Sequence, residues 1–132
     1  MDDIFVARVM SSDLVTVGPD TLVEDAGQRM LENGISSLVV VDDDGQLEGI
    51  LTTTDFVTIV AESFPKAETS VSRYMTTDVV TVSPQQPITD VAALMLEREV
   101  HHLPVVDDDE GVVGIVTTTD LAGYLTTLSA TV

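Results

Sequence analysis

Apolar positions along the chain change period in a set order, and each change predicts an element. The β-branched run Leu14 to Val17 predicts a short strand, stopped by Pro19, which cannot donate to a ladder. Val23, Ala26, Gly27, Met30 and Gly34 then fall at helical spacing, so a helix with one buried face follows, with Gly34 as its C-terminal stop. Thr21 with Glu24 three residues later has the pattern of a capping box. Leu38 to Val41 and Leu47 to Leu51 are short and β-branched, and the acidic turn Asp42 to Gly45 between them makes them a hairpin. A further helix is predicted over about Phe56 to Phe64, closed by Pro65.

The same order then returns. Thr52-Thr53-Thr54-Asp55, directly after Gly49-Ile50-Leu51, recurs as Thr117-Thr118-Thr119-Asp120 after Gly114-Ile115-Val116, at an interval of 65 residues. Arg8 matches Arg73 and Met10-Ser11-Ser12-Asp13 matches Met75-Thr76-Thr77-Asp78 at that offset. An offset shared by so many segments marks a duplicated unit rather than low complexity. The second copy predicts a strand near Val79 to Val82, a helix from Pro87 to Val100 and strands Leu103 to Val106 and Val112 to Val116. A last helix is predicted over about Leu121 to Leu128, with the tail from Thr126 fraying. Pro87 is a favoured first helical residue. In this helix Ile88, Val91, Ala92 and Met95 carry the stripe, which fails at Glu99.

The fold class is therefore α+β, a mixed α/β arrangement of two βαββα repeats related by pseudo-two-fold symmetry. Residues 7–64 form the first repeat, 65–72 a polar connector and 73–130 the second repeat. One such repeat is marginal alone, so the two are expected to pack against each other. Each Thr-Thr-Thr-Asp segment lies where a strand ends and a helix begins. Two such junctions can bring hydroxyls, a carboxylate and unpaired helix N–H groups to a shared cleft.

Composition narrows the partners. Five Lys plus Arg against 23 Asp plus Glu give a net charge of −18, which argues against nucleic acid and against an anionic membrane surface. The N-terminus lacks a signal-peptide pattern and no apolar run is long enough to span a bilayer, so a cytoplasmic location is expected. Cysteine is absent, which excludes disulfides and thiolate metal sites. The runs Asp42-Asp43-Asp44 and Asp107-Asp108-Asp109-Glu110 lack the alternate ligand spacing of a calcium loop and read as solvated turns, so no metal is expected. An acidic, lysine-poor surface on a chain of positive mean hydropathy resembles proteins of salt-loving cytoplasms.

The duplicated pieces, with Ser36-Ser37-Leu38-Val39-Val40-Val41-Asp42 and its counterpart His101-His102-Leu103-Pro104-Val105-Val106-Asp107, resemble a tandem pair of CBS domains, a Bateman module. The resemblance runs from about residue 7 to residue 128. It implies a regulatory module without catalytic activity that binds AMP, ADP, ATP or S-adenosylmethionine between the copies, with no cofactor. It places Asp55 and Asp120 on ribose hydroxyls, with Thr52 and Thr117 beside them. The base would lie near Leu14 and Val15 or Val79 and Val80, walled by Ile50 or Ile115. His101 and His102 would meet phosphate, and Ser36 and Ser37 in the first copy make the Asp120 site the stronger one. A homodimer and a separate, unidentified effector protein are the implied partners. An enzyme is not expected, since a catalytic barrel needs about 250 residues.

Other readings remain open. Thr52 with Asp55, and Thr117 with Asp120, can cap their helices and nothing more. The histidines can be surface or interface residues. The chain can be a structural or interaction subunit that keeps the fold and binds no nucleotide.

Overall fold

The computed structural model describes residues 4–62 and 68–130. In order these form α1 (Val6–Val9), β1 (Thr16–Val17), α2 (Val23–Asn33), β2 (Ser37–Val41), β3 (Leu47–Thr52) and α3 (Thr53–Ala61). A 3-10 turn (Val71–Arg73) follows, then α4 (Ile88–Arg98), β4 (His102–Asp107), β5 (Gly111–Thr117) and α5 (Thr118–Ala130). The chain divides into two compact units. One is contiguous, Val15–Val79; the other is split, Met1–Leu14 with Val80–Val132. The compact units and the sequence repeats are different divisions. Each unit holds the body of one copy with the ten or so residues that open the other.

Main-chain bonds explain that composition. In the split unit Ser11 and Ile115 exchange both hydrogen bonds, at 2.8 and 3.0 Å; in the contiguous unit Thr76 and Ile50 do the same at 2.9 and 3.0 Å. Gly114 and Gly49 permit these approaches. A Cβ on either would lie 2.7 Å from a carbonyl oxygen, that of Ser11 or of Thr76, closer than real Cβ atoms come. The glycine before each Ile-Leu/Val-Thr run thus follows from contact with a segment 27 residues away in the first copy (Gly49 to Thr76) and 103 residues away in the second (Gly114 to Ser11).

The contiguous unit has a three-stranded sheet, β1 parallel to β2 and β2 antiparallel to β3. β2 is central, so Ser37 to Val40 are all buried. Its core joins Val17, Val23, Met30, Leu38, Leu51 and Ile59. The split unit has the antiparallel pair β4 and β5, with Val82 bridged to Val105, over a core of Val6, Val91, Met95, Leu103 and Val116. The aliphatic core follows the helical and strand periods of the sequence. Leu38, Leu51 and Leu103 are fully buried and each contributes about 1.5–3 kcal/mol by leaving water.

Several local expectations are corrected. The first strands are shorter than Leu14 to Val17 and Val79 to Val82: two residues in one copy and a single bridge in the other. The Thr21 hydroxyl accepts from the Gly18 N–H at 3.1 Å instead of capping α2, whose N-cap is Leu22. Pro87 is the N-cap of α4, one place before the first helical residue. α3 begins at Thr53 and ends at Ala61, so it starts before Phe56; Phe64, Pro65 and the connector up to Ala67 lie outside the described residues. α5 continues to Ala130.

Glu99 breaks the apolar stripe because it is not on the helix. Like Gly34 in α2, it is the left-handed residue that ends α4, with φ of 55° against 61°. Among the described residues no helix is long and apolar enough to cross a membrane.

Candidate functional site

At both junctions the repeated motif forms a capping box. The Thr52 N–H donates to Asp55 Oδ2 at 2.8 Å, and the Thr52 side chain accepts from the third backbone N–H of α3. At the other junction the Thr117 N–H donates to Asp120 Oδ2 at 2.9 Å, and the Asp120 N–H donates to Thr117 Oγ1 at 3.2 Å. The spacing of three residues is what allows this reciprocity. Each carboxylate also sits in the first turn of its helix. Capping engages one oxygen, Oδ2, of each carboxylate.

The twelve residues singled out in the sequence sort into two groups. The contiguous unit holds Val15, Ile50, Thr52, Asp55 and Val79; the split unit holds Leu14, Val80, His101, His102, Ile115, Thr117 and Asp120. The division thus passes between Leu14 and Val15 and again between Val79 and Val80, each of which is half-buried. Val15 packs against the core of its unit and Val80 against the core of the other. Ile50 is buried beneath its bond to Thr76, whereas Ile115 is only partly so.

Two residues not singled out belong with these: Ser11 and Thr76, whose main chains run beside Ile115 and Ile50. Their signal was already in the sequence, in the repeated Met-Ser/Thr-Ser/Thr-Asp piece, but only the pairing with β5 or β3 gives them a place next to the junction.

The neighbours of the two junctions differ in chemistry. Across from Thr52 lies Ser37, buried at 8% exposure; across from Thr117 lies His102, half-buried. His101 is exposed, and its carbonyl accepts from the Thr118 N–H at 3.1 Å, which ties the start of β4 to the start of α5. Adjacent strand residues face opposite ways, so one histidine is turned inward and the other outward. Burial lowers the His102 pKa below that of an ordinary histidine, and the neighbouring His101 lowers it further. The Asp120 carboxylate opposes both, which puts His102 and Asp120 in one electrostatic neighbourhood.

The acidic turns serve the hairpins. Asp42 Oδ1 accepts from the N–H groups of Asp44 and Gln46, both at 2.9 Å, and Asp107 Oδ1 accepts from that of Asp109 at 2.9 Å. A groove of about 560 Å³ lies elsewhere in the contiguous unit, between α2 and α3. Thr53 reaches it from the junction, while Thr52, Asp55 and Ile50 do not line it.

A family model described as the CBS domain matches residues 6–62 and again residues 71–127. Over 89% of its length the chain is 31% identical to the CBS domain-containing protein YhcV of Bacillus subtilis, and it covers 82% of that protein. It is 39% identical, over 88% of its length, to a homoserine O-acetyltransferase of Methanosalsum zhilinae, of which it spans only 23%. Among solved structures, the CBS domain pair of protein MJ0100 in complex with 5′-methylthioadenosine and S-adenosyl-L-methionine matches with a TM-score of 0.87. The identity is 28%, covering 96% of this chain and 98% of that one. CBSX2 in complex with AMP matches with a TM-score of 0.81 at 26% identity, covering 95% and 98%.

Proposed function

Since this chain belongs to the CBS-domain family, we propose that it is a regulatory module that senses an adenosine-containing ligand, AMP, ATP or S-adenosylmethionine, at its Thr-Thr-Thr-Asp junctions. The observation that carries this reading is the shared geometry of the junctions. Each presents an aspartate whose Oδ2 closes the capping box, which fixes the side chain and offers Oδ1 to a vicinal diol. A preorganised acceptor binds without first losing rotamer freedom. Related CBS pairs described with methylthioadenosine, S-adenosylmethionine and AMP support the ligand class.

A neutral His102 beside Asp120 can still donate a ring N–H to an anionic ligand, where the first copy has the smaller, more deeply buried Ser37. The split unit is therefore the stronger site for a phosphate-bearing ligand. With a net charge of −18, low ionic strength favours S-adenosylmethionine or AMP over ATP, and salt erodes that preference. The ligand shifts the module between arrangements only by its difference in affinity for them. The change is passed, in the cytoplasm, to a second copy or to an effector protein, and the module itself is not an enzyme.

Calorimetry with AMP, ATP and S-adenosylmethionine at low and at molar salt tests this. At least one ligand binds, and Asp120→Asn weakens it tenfold or more while the unfolding midpoint barely moves, because an asparagine oxygen still accepts the capping bond. Silence from all three compounds overturns the reading.

One observation favours a second reading, a subunit that keeps the fold and binds no nucleotide: the capping box by itself gives Thr52, Asp55, Thr117 and Asp120 a structural role. Under that reading Asp55→Ala and Asp120→Ala lower stability by about 1 kcal/mol each and change nothing else.

A further inference from the structure

The contiguous unit leaves a strip of large apolar side chains in solvent along its groove. Leu31 on α2 is 80% exposed, and on α3 Val57 and Val60 are 69% and 71% exposed. Leu31 and Val60 edge the groove between the two helices, and Gly27 and Phe56 lie within it. Gly27 makes the room, because a Cβ there would come within 3.2 Å of the Phe56 ring.

The two walls differ in charge. From Phe56 to Ala61 the α3 wall has no ionisable residue, whereas the α2 wall is acidic. Glu24 lines the groove, and so does Gln28, whose Nε2 donates to the Glu32 carboxylate at 3.2 Å. Glu32 comes eight residues after Glu24 and so lies about 12 Å further along the axis, at the usual helical rise. Arg29, the one cation of α2, is turned instead to the Thr16 carbonyl of β1, at 2.9 Å. The split unit has no such wall. Thr89 and Ala93 stand where the groove has Glu24 and Gln28, and Ala92 and Leu121 replace Gly27 and Phe56. There α4 and α5 pack on each other, with Leu96 left exposed.

These features select the occupant. An apolar groove with open apolar rims takes one face of an amphipathic helix. Two carboxylates about 12 Å apart on one wall call for two cations about two turns apart on the flank of that helix. A second copy of this chain does not supply them. Among the described helices none carries more than one Lys or Arg, and a copy brings its own net charge of −18.

We propose that the α2–α3 groove receives a basic amphipathic helix of another protein, with its apolar face on Phe56 and Val60 and two Lys or Arg side chains on Glu24 and Glu32. Thr53, which follows the junction residue Thr52, also lines the groove, so the seated helix touches the same helix that carries Asp55. The proposal deepens the effector protein of the proposed function and rests on that part of it, independently of the nucleotide.

Fluorescence anisotropy without nucleotide, at the lowest salt that keeps the chain folded, tests it. The probe is a labelled peptide of Leu, Ala and Lys with an apolar face and two lysines two turns apart on one flank; a second peptide has the same residues in an order without an apolar face. The first binds the wild type about tenfold or more tightly than the second. Glu24→Gln with Glu32→Gln weakens it by about tenfold or more, while Asp43→Asn with Asp108→Asn, which removes equal charge at the hairpin turns, leaves it within about twofold. Leu31→Ser with Val60→Ser also weakens it by about tenfold. All these positions are exposed, and nearly unchanged urea midpoints verify the fold. Absence of binding overturns the proposal, as do equal binding of both peptides, the mark of charge alone, and equal losses from the two pairs of carboxylate changes. So does sedimentation in which Leu31→Ser with Val60→Ser dissociates a wild-type oligomer, which assigns the groove to a second copy. Nucleotide calorimetry with Asp120→Asn is read separately, so either idea can fail alone.

Discussion

The hairpins of the two units carry the same sequence pattern, yet one belongs to a three-stranded sheet and the other to a two-stranded one. The difference traces to a single position. Val39 in β2 pairs across from Ile50, and Pro104 in β4 pairs across from Ile115. Ile50 and Ile115 direct their main-chain groups outward, to Thr76 and Ser11, so these are the non-hydrogen-bonded pairs of each ladder. Val39 and Pro104 must then direct their own groups to the other side, toward the first strand of the copy. Val39 can donate there and β1 forms, with Thr16 beside Val39 and Val17 beside Val40. Pro104 has no N–H, and only the Val82 bridge survives, through Val82 N–H to the Pro104 carbonyl at 3.1 Å and Val106 N–H to the Val82 carbonyl at 2.8 Å. One missing donor is enough to reduce a strand to a single rung.

What the units share is tested with the largest expected effect. Gly49→Ala and Gly114→Ala each drive a methyl group to 2.7 Å from a carbonyl oxygen, and each lowers the urea-unfolding free energy by about 1–3 kcal/mol. The two losses agree within about 0.5 kcal/mol if the approaches are equivalent. A large inequality breaks the parallel between units.

What separates them is tested next. Val39→Pro removes a donor and leaves an acceptor on the first strand unmet, for a loss of about 1–2 kcal/mol and faster amide exchange around Thr16. Pro104→Val regains the donor but frees the unfolded chain by about 0.4–1 kcal/mol, so its net effect on stability is small. Its readout is a newly protected amide at residue 104. Absence of that protection refutes the account of the missing strand.

The smallest effect concerns the histidine beside Asp120. His102 has a folded pKa below its ordinary 6.5, so above that pH it is neutral in both states and has no influence on stability. As pH falls through 6.5 the unfolded chain takes up the proton first. Stability therefore declines toward the lower folded value and then levels off. His102→Gln flattens that step in urea midpoints followed from about pH 8 to 5, and Ser37 gives the contiguous unit no counterpart to it.

The periods of 2 and 3.6 and the interval of 65 residues were enough to read the βαββα order, the hairpins, and Met30 and Met95 as core. The junctions were legible too, because a capping box is local and three-residue spacing defines it. Three things were not. Thr21 has every mark of a cap, but its hydroxyl closes a turn with Gly18, an equally short-range alternative that the letters do not rank. Glu99 looked like a flaw in a helix because nothing local announces a left-handed glutamate. The exposed Leu31 and Leu96 share their helices with buried residues, and no periodicity separates an apolar side chain facing a core from one facing solvent.

By itself the sequence determined element type, the acidic hairpin turns, the capping boxes of the two repeated junctions and the fact of duplication. Tertiary structure decided which opening segment lies against which sheet, and hence why Gly49 and Gly114 are glycines, because a 2.7 Å approach between distant segments leaves no local trace. It also decided the number of strands. The proline was visible at position 104, but only the pairing of Ile115 with Ser11 fixed the direction in which its missing hydrogen would have pointed.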